Sequence, residues 1–91
     1  MTFKNLNFVP HSANPKGSIQ ASLRLGNGKI LSVVAGENLY STSKDGVRKA
    51  VTDPNDVASF EVAVIDESQP DFNVLGWQSR EDINQIILDN E

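Results

Sequence analysis

His11 is the only imidazole in the chain, and it follows Pro10 in a stretch that reads as a loop. A catalytic histidine needs a nucleophile and an orienting carboxylate beside it. No Gly-x-Ser-x-Gly elbow supplies that nucleophile, so His11 is expected to be a solvated loop residue and no catalytic residue is assigned. Gly26–Asn27–Gly28–Lys29 has the look of the end of a phosphate loop, but Leu23 stands where that motif needs glycine and Ile30 where it needs Ser or Thr. The segment also falls between two strands rather than between a strand and a helix, which excludes the motif. Asp53–Pro54–Asn55–Asp56 offers oxygen ligands, yet Ala58 and Val64 occupy the positions where an EF-hand loop requires glycine and glutamate. Asp66, Glu67 and Asp71 gather near a turn and read as a solubilising surface. No metal site and no cofactor are expected.

Binding chemistry has better candidates. Lys44, Arg48 and Lys49 form the one basic cluster, with Tyr40 nearby, and Trp77 is the only tryptophan. These five residues are the candidate ligand-binding set: the cations for phosphates, the aromatics for stacking. Trp77 has two readings, a binding hot spot or a core anchor at a strand–helix junction with its indole N–H satisfied at the rim; the core reading is the expectation.

These residues must be positioned by a small sheet and one helix. Ser18 to Leu25 alternates Ile19, Ala21, Leu23 and Leu25 with polar residues, the period of a half-buried strand. Asn27–Gly28 then turns the chain. A two-residue turn would set Leu23 opposite Ser32; a turn with Gly28 as a left-handed bulge residue sets Leu23 opposite Leu31, Ala21 opposite Val33 and Ile19 opposite Ala35. Only the bulged register keeps the apolar residues on one face. The return strand is nevertheless apolar on both faces, with Ile30 and Val34 opposite to Leu31, Val33 and Ala35, as in a strand covered on both sides. Val57 to Asp66 is a second such strand, with Phe60, Val62 and Val64 on one face and Ala63 and Ile65 on the other. Phe72 to Trp77 reads as a short strand. Ser79 opens a helix as N-cap, with Asp82 three residues on as a capping-box variant, and Ile83, Ile86 and Ile87 form its apolar stripe. Residues 3–9 read as an edge strand or ordered arm ended by Pro10, and residues 41–56 carry only turn signals. The expected fold is α+β: one domain over 1–91, with an N-terminal strand or arm and loop (1–17), an antiparallel sheet of four or five strands (18–78) and a C-terminal helix (79–91) packed on one face.

The ordered blocks Asn27–Gly28, Leu31–Ser32–Val33–Val34, Gly36, Tyr40, Glu61–Val62–Ala63–Val64, Gly76–Trp77 and Ser79 resemble a group of small, uncharacterised bacteriophage-encoded proteins. The likeness spans about residues 26–88. It implies a phage setting and no catalysis. The stretch between Tyr40 and Phe60 is longer here than in that group, and the N-terminal segment is this chain's own.

Composition bounds the partners. The 91 residues carry a net charge of −4, split into +5 over residues 1–50 and −9 over 51–91, an asymmetry that adjacent strands are expected to intermix. The acidic balance disfavours direct nucleic-acid binding. No cysteine is present, which fits a reducing compartment, and no apolar run approaches the ~20 residues of a membrane span. A cytoplasmic protein, in the host cytoplasm if phage-encoded, is expected. Two functional classes lead, ahead of a virion or assembly component and, last, a hydrolase. One is a non-enzymatic accessory protein that binds a host or phage protein through an exposed apolar edge or face. The other is a small-ligand binder, a sponge for a nucleotide signal, built on the candidate set above. One helix covers one sheet face, so the other must be shielded by the arm with Phe3, Leu6 and Phe8 or by a second copy in a homodimer.

Overall fold

The computed structural model describes residues 1–37, 39–44, 46, 50–69 and 71–91. Among the described residues, six strands and one α-helix follow in chain order, with two 3-10 turns between them: β1 (Val9–Pro10), β2 (Ser18–Arg24), β3 (Ile30–Gly36), β4 (Thr42–Ser43), β5 (Val57–Ile65), β6 (Val74–Gln78) and α1 (Arg80–Asp89). All strand pairings are antiparallel. The sheet runs β1-β2-β3-β5-β4, and β6 also pairs with β5. β1 and β4, two residues each, bring the number of strands to six.

The β2–β3 hairpin has the bulged register: Leu23 opposes Leu31, Ala21 opposes Val33 and Ile19 opposes Ala35. Gly28 sits at φ 89°, the left-handed conformation a glycine reaches without a Cβ clash. Its N–H donates to the Leu25 carbonyl at 3.0 Å, and Leu25 N–H donates to Lys29 O at 2.8 Å. β3 then pairs with β5 through Leu31–Val64 and Val33–Val62, which stacks the two apolar rows side by side.

The helix begins as its sequence dictates. Ser79 Oγ accepts from Asp82 N–H at 3.0 Å, and Asp82 Oδ2 accepts from Ser79 N–H at 3.0 Å. Ile83 and Ile87 are buried against Leu31, Val33, Val62 and Phe60. The last turn of α1 is tied to the hairpin: Asn27 N–H and Asn27 Nδ2 donate to Asn90 O and Asn90 Oδ1, each at 3.0 Å.

Of the two expectations for the N-terminal segment, the ordered arm is the one observed over most of its length: Phe3–Asn5 is a 3-10 turn, and only Val9–Pro10 forms an edge strand, β1, with Pro10 its last residue, opposite Ile19. Phe3, Leu6 and Phe8 pack on the same cluster as α1. The rings of Phe3 and Phe8 lie 5.2 and 5.6 Å from that of Phe60. Arg80 seals this corner: its guanidinium stands 5.1 Å over Phe3 and 5.2 Å over Phe60 and donates to Val57 O at 2.8 Å and Pro54 O at 2.9 Å. Phe3, Leu6 and Phe8 of the arm therefore share the helix face, where three phenylalanines and a cation assemble favourably, while Asn7, Val9 and His11 border the other face beside Ile30 and Val34.

Candidate functional site

Tyr40 and Trp77 come together. Their ring centroids are 5.2 Å apart at an interplanar angle of 41°, within the range of a favourable tilted pair. Both rings face solvent, Tyr40 at 52% and Trp77 at 58% exposure. The core-anchor reading of Trp77 is thereby corrected. The residues that fill the strand–helix junction are Phe60, Phe3 and Arg80, which leave no room for an indole.

Three features fix the pair. β6 carries an extra residue against β5: Leu75 opposes Val62 and Gln78 opposes Phe60, so Gly76 and Trp77 together stand against Glu61. Trp77 sits at φ 53°, the one non-glycine residue at positive φ among those described. Its N–H donates to the Tyr40 carbonyl at 2.9 Å. A Cβ at Gly76 would lie 2.9 Å from Tyr40 Cβ, so glycine is what lets the tyrosine approach. A bulky residue held in the left-handed region is uncommon, and such strain persists where the surroundings impose it. Here the bulge and the Tyr40 carbonyl impose it. Phe72 and Val74, at 52% and 48% exposure, border the second sheet face, whereas Leu75, at 44%, pairs with Val62 and projects from the opposite face of β6.

The cationic half of the candidate set is placed only in part. Lys44 is exposed, and its backbone N–H donates to Asp56 O at 2.9 Å. Arg48 and Lys49 lie outside the described residues.

The acidic clusters are engaged in local turns. Asp53 Oδ1 accepts from Asn55 N–H at 2.9 Å and caps the 3-10 turn Pro54–Asp56. Asp66 Oδ1 accepts from Ser68 Oγ at 2.7 Å and Ser68 N–H at 3.0 Å. These two bonds, with a smaller contribution from Lys29, hold the Asp66 carboxyl below its usual 3.8. No group of three or more His, Asp or Glu side chains gathers among the described residues. His11 Nδ1 accepts from Ala13 N–H at 3.0 Å, a turn-closing role, with no hydroxyl or carboxylate partner among the described residues. Arg24 reaches Glu67 at 3.3 Å, so at this point the basic and acidic halves of the sequence do meet.

The second sheet face that the sequence announced is a surface whose shape could not be read from the sequence. It forms a shallow concavity of about 430 Å³ bordered by His11, Gln20, Ile30, Ser32, Val34 and Ile65, among others. A smaller one of about 200 Å³ adjoins it between Val34, Glu61, Ala63 and Val74. The signal was present in β3 and β5, which are apolar on both faces. No helix among the described residues is long and apolar enough to cross a membrane. No family model, curated protein or solved structure matches the chain.

Proposed function

We propose that this chain is a non-enzymatic, phage-type accessory protein that acts in the host cytoplasm by binding a host or phage protein. The observation that carries the reading is the solvent-facing Tyr40–Trp77 pair, held in a strained conformation by a bulge and a backbone hydrogen bond. Aromatic residues held rigid at a surface supply contact area at little entropic cost, and Trp and Tyr dominate binding hot spots. Phe72, Val74 and Leu75 add further exposed apolar side chains in and just before β6. The acidic net charge supports a protein partner over nucleic acid. Self-association belongs to the same reading, because α1 and the arm's Phe3, Leu6 and Phe8 pack on the first face of the sheet, and the second is a shallow concavity bordered by Asn7, Val9 and His11.

The test compares wild type with Trp77→Asn, which keeps a residue suited to positive φ. Both proteins are incubated with lysate of a candidate host and examined by native mass spectrometry with cross-linking. A protein retained by wild type and lost by Trp77→Asn is the expected result. Equal retention by both would refute the site. Retention of a nucleotide-sized ligand would transfer the function to the sponge built on Tyr40, Trp77 and the Lys44 cluster.

A further inference from the structure

We propose that the uncovered sheet face is where a second copy of this chain docks, the two sheets packing face to face with their strands nearly orthogonal. The inference rests on the self-association part of the reading above and adds its surface, register and charge pairing.

Pleat and register lay the face out as a grid over β2, β3 and β5. Its first row is Gln20–Val34–Glu61, its second Ser22–Ser32–Ala63 and its third Arg24–Ile30–Ile65. Val9 extends the first row and Val74 the second. A sheet face meant for water alternates to polar residues. Here Val34, Ile30 and Ile65 are half-buried, with Asn7, His11 and Phe72 at the border of their face, while Val9 and Val74 are exposed.

Charge then selects one arrangement. Arg24 and Glu61 occupy opposite corners of the grid. A symmetric pair of sheets has its two-fold axis in the interface plane, and the same patch serves both copies. An axis along the strands sets Arg24 on Ile65 and Glu61 on Gln20. An axis across the strands sets Arg24 on Gln20 and Glu61 on Ile65. An axis through the Arg24 and Glu61 corners sets like charges on each other. Only an axis through the Gln20 and Ile65 corners brings Arg24 of each copy to Glu61 of the other. It also places Ile65 on its own copy, and Gln20 and Ser32 on theirs. Both are side chains that donate and accept, so each can bond its twin. This geometry is the orthogonal mode of sheet packing. Arg24 is able to serve it, since its contact with Glu67 is a surface pair with both side chains 62% exposed. Glu61 has no ion pair among the described residues.

Size sets the strength. The molecule measures 35 × 25 × 20 Å. Five strands at ~4.8 Å spacing and three rows ~7 Å apart give a face that buries on the order of 1,000 Å² over both copies. That is the lower bound for a specific interface, so the dimer is a reversible one with a dissociation constant on the order of micromolar.

Sedimentation equilibrium of the full chain across the micromolar range tests this. Wild type is expected to move from monomer to dimer with concentration. Val34→Lys, outside the helix-side core, is expected to stay monomeric with an unfolding midpoint like that of dilute wild type. Glu61→Arg should weaken association several-fold, and Arg24→Glu/Glu61→Arg should restore it. Trp77→Asn should dimerise as wild type does. A wild type monomeric at every concentration overturns self-association itself. A dimer indifferent to Val34→Lys, or abolished by Trp77→Asn, keeps self-association but overturns this face as its site. Failure of the double swap to restore the dimer overturns the diagonal register.

Discussion

Replacing Trp77 with asparagine separates a surface role from a core role by magnitude. In a core position, truncating a tryptophan costs roughly 3–5 kcal/mol through lost burial and the cavity left behind. Trp77 is 58% exposed, so little cavity forms. The ring pair with Tyr40 contributes about 0.5–1.5 kcal/mol, and that is lost. Against it stands the cost of holding a bulky side chain at φ 53°, roughly 1–2 kcal/mol, which asparagine largely relieves. The backbone hydrogen bond to Tyr40 O survives the substitution. The net change is therefore expected between a gain of ~1.5 and a loss of ~0.5 kcal/mol, a fall in unfolding midpoint of no more than ~4 °C for a domain of this size. Thermal unfolding followed by circular dichroism at low protein concentration measures it. A loss of more than ~2 kcal/mol would refute the reasoning, since it would mean that the indole carries packing that its exposure denies.

Gly76→Val places side-chain atoms where Tyr40 Cβ stands 2.9 Å from the position a Cβ would take. Fluorescence of Trp77 should shift as the tyrosine is displaced, and binding of any Trp77-dependent partner should fall at least ~tenfold. Ile83→Ala removes a fully buried side chain between helix and sheet; a loss of about 2–5 kcal/mol is expected in chemical denaturation. Asp66 is held below its usual 3.8 by Ser68, so its ionised form favours the folded state. That contribution is complete at neutral pH and is lost as pH falls through 3.8 and below. Ser68→Ala should therefore lower stability slightly at pH ~7, leave it unchanged at the acid end where Asp66 is protonated in both states, and so flatten the acid limb of a stability–pH profile; an identical profile would count against the bond.

The hairpin and the helix were legible because their determinants are local. Asn27–Gly28 with period-two flanks fixes a register, and Ser79 with Asp82 fixes a helix start. The allocation of the N-terminal segment was not legible. A 3-10 turn over Phe3–Asn5 has no periodic signature, and its docking depends on Phe60, Arg80 and Asn84, all remote in sequence. Trp77 was misread for a similar reason. A strand ending in Gly-Trp looks like a core anchor until a bulge, set by pairing with β5 and by the Tyr40 carbonyl, turns the indole outward. The bare sheet face was half legible: two strands apolar on both sides announced a second surface but not what would lie over it.

The Asn27–Gly28 turn has a bearing on chemical lifetime. Asparagine followed by glycine is the sequence most prone to spontaneous deamidation, in which the glycine nitrogen attacks the asparagine side-chain carbonyl to close a succinimide and expel ammonia. In the folded chain both reacting groups are occupied. Gly28 N–H is donated to Leu25 O, while Asn27 Oδ1 accepts from Lys29 N–H at 3.1 Å and its amide nitrogen is bonded to Asn90. The same contacts that dock the end of the helix on the hairpin therefore withhold the amide from its own backbone. Aged protein should deamidate at Asn27 only as fast as the last helical turn lets go, which makes peptide mapping of stored samples a clock for the fraying of α1.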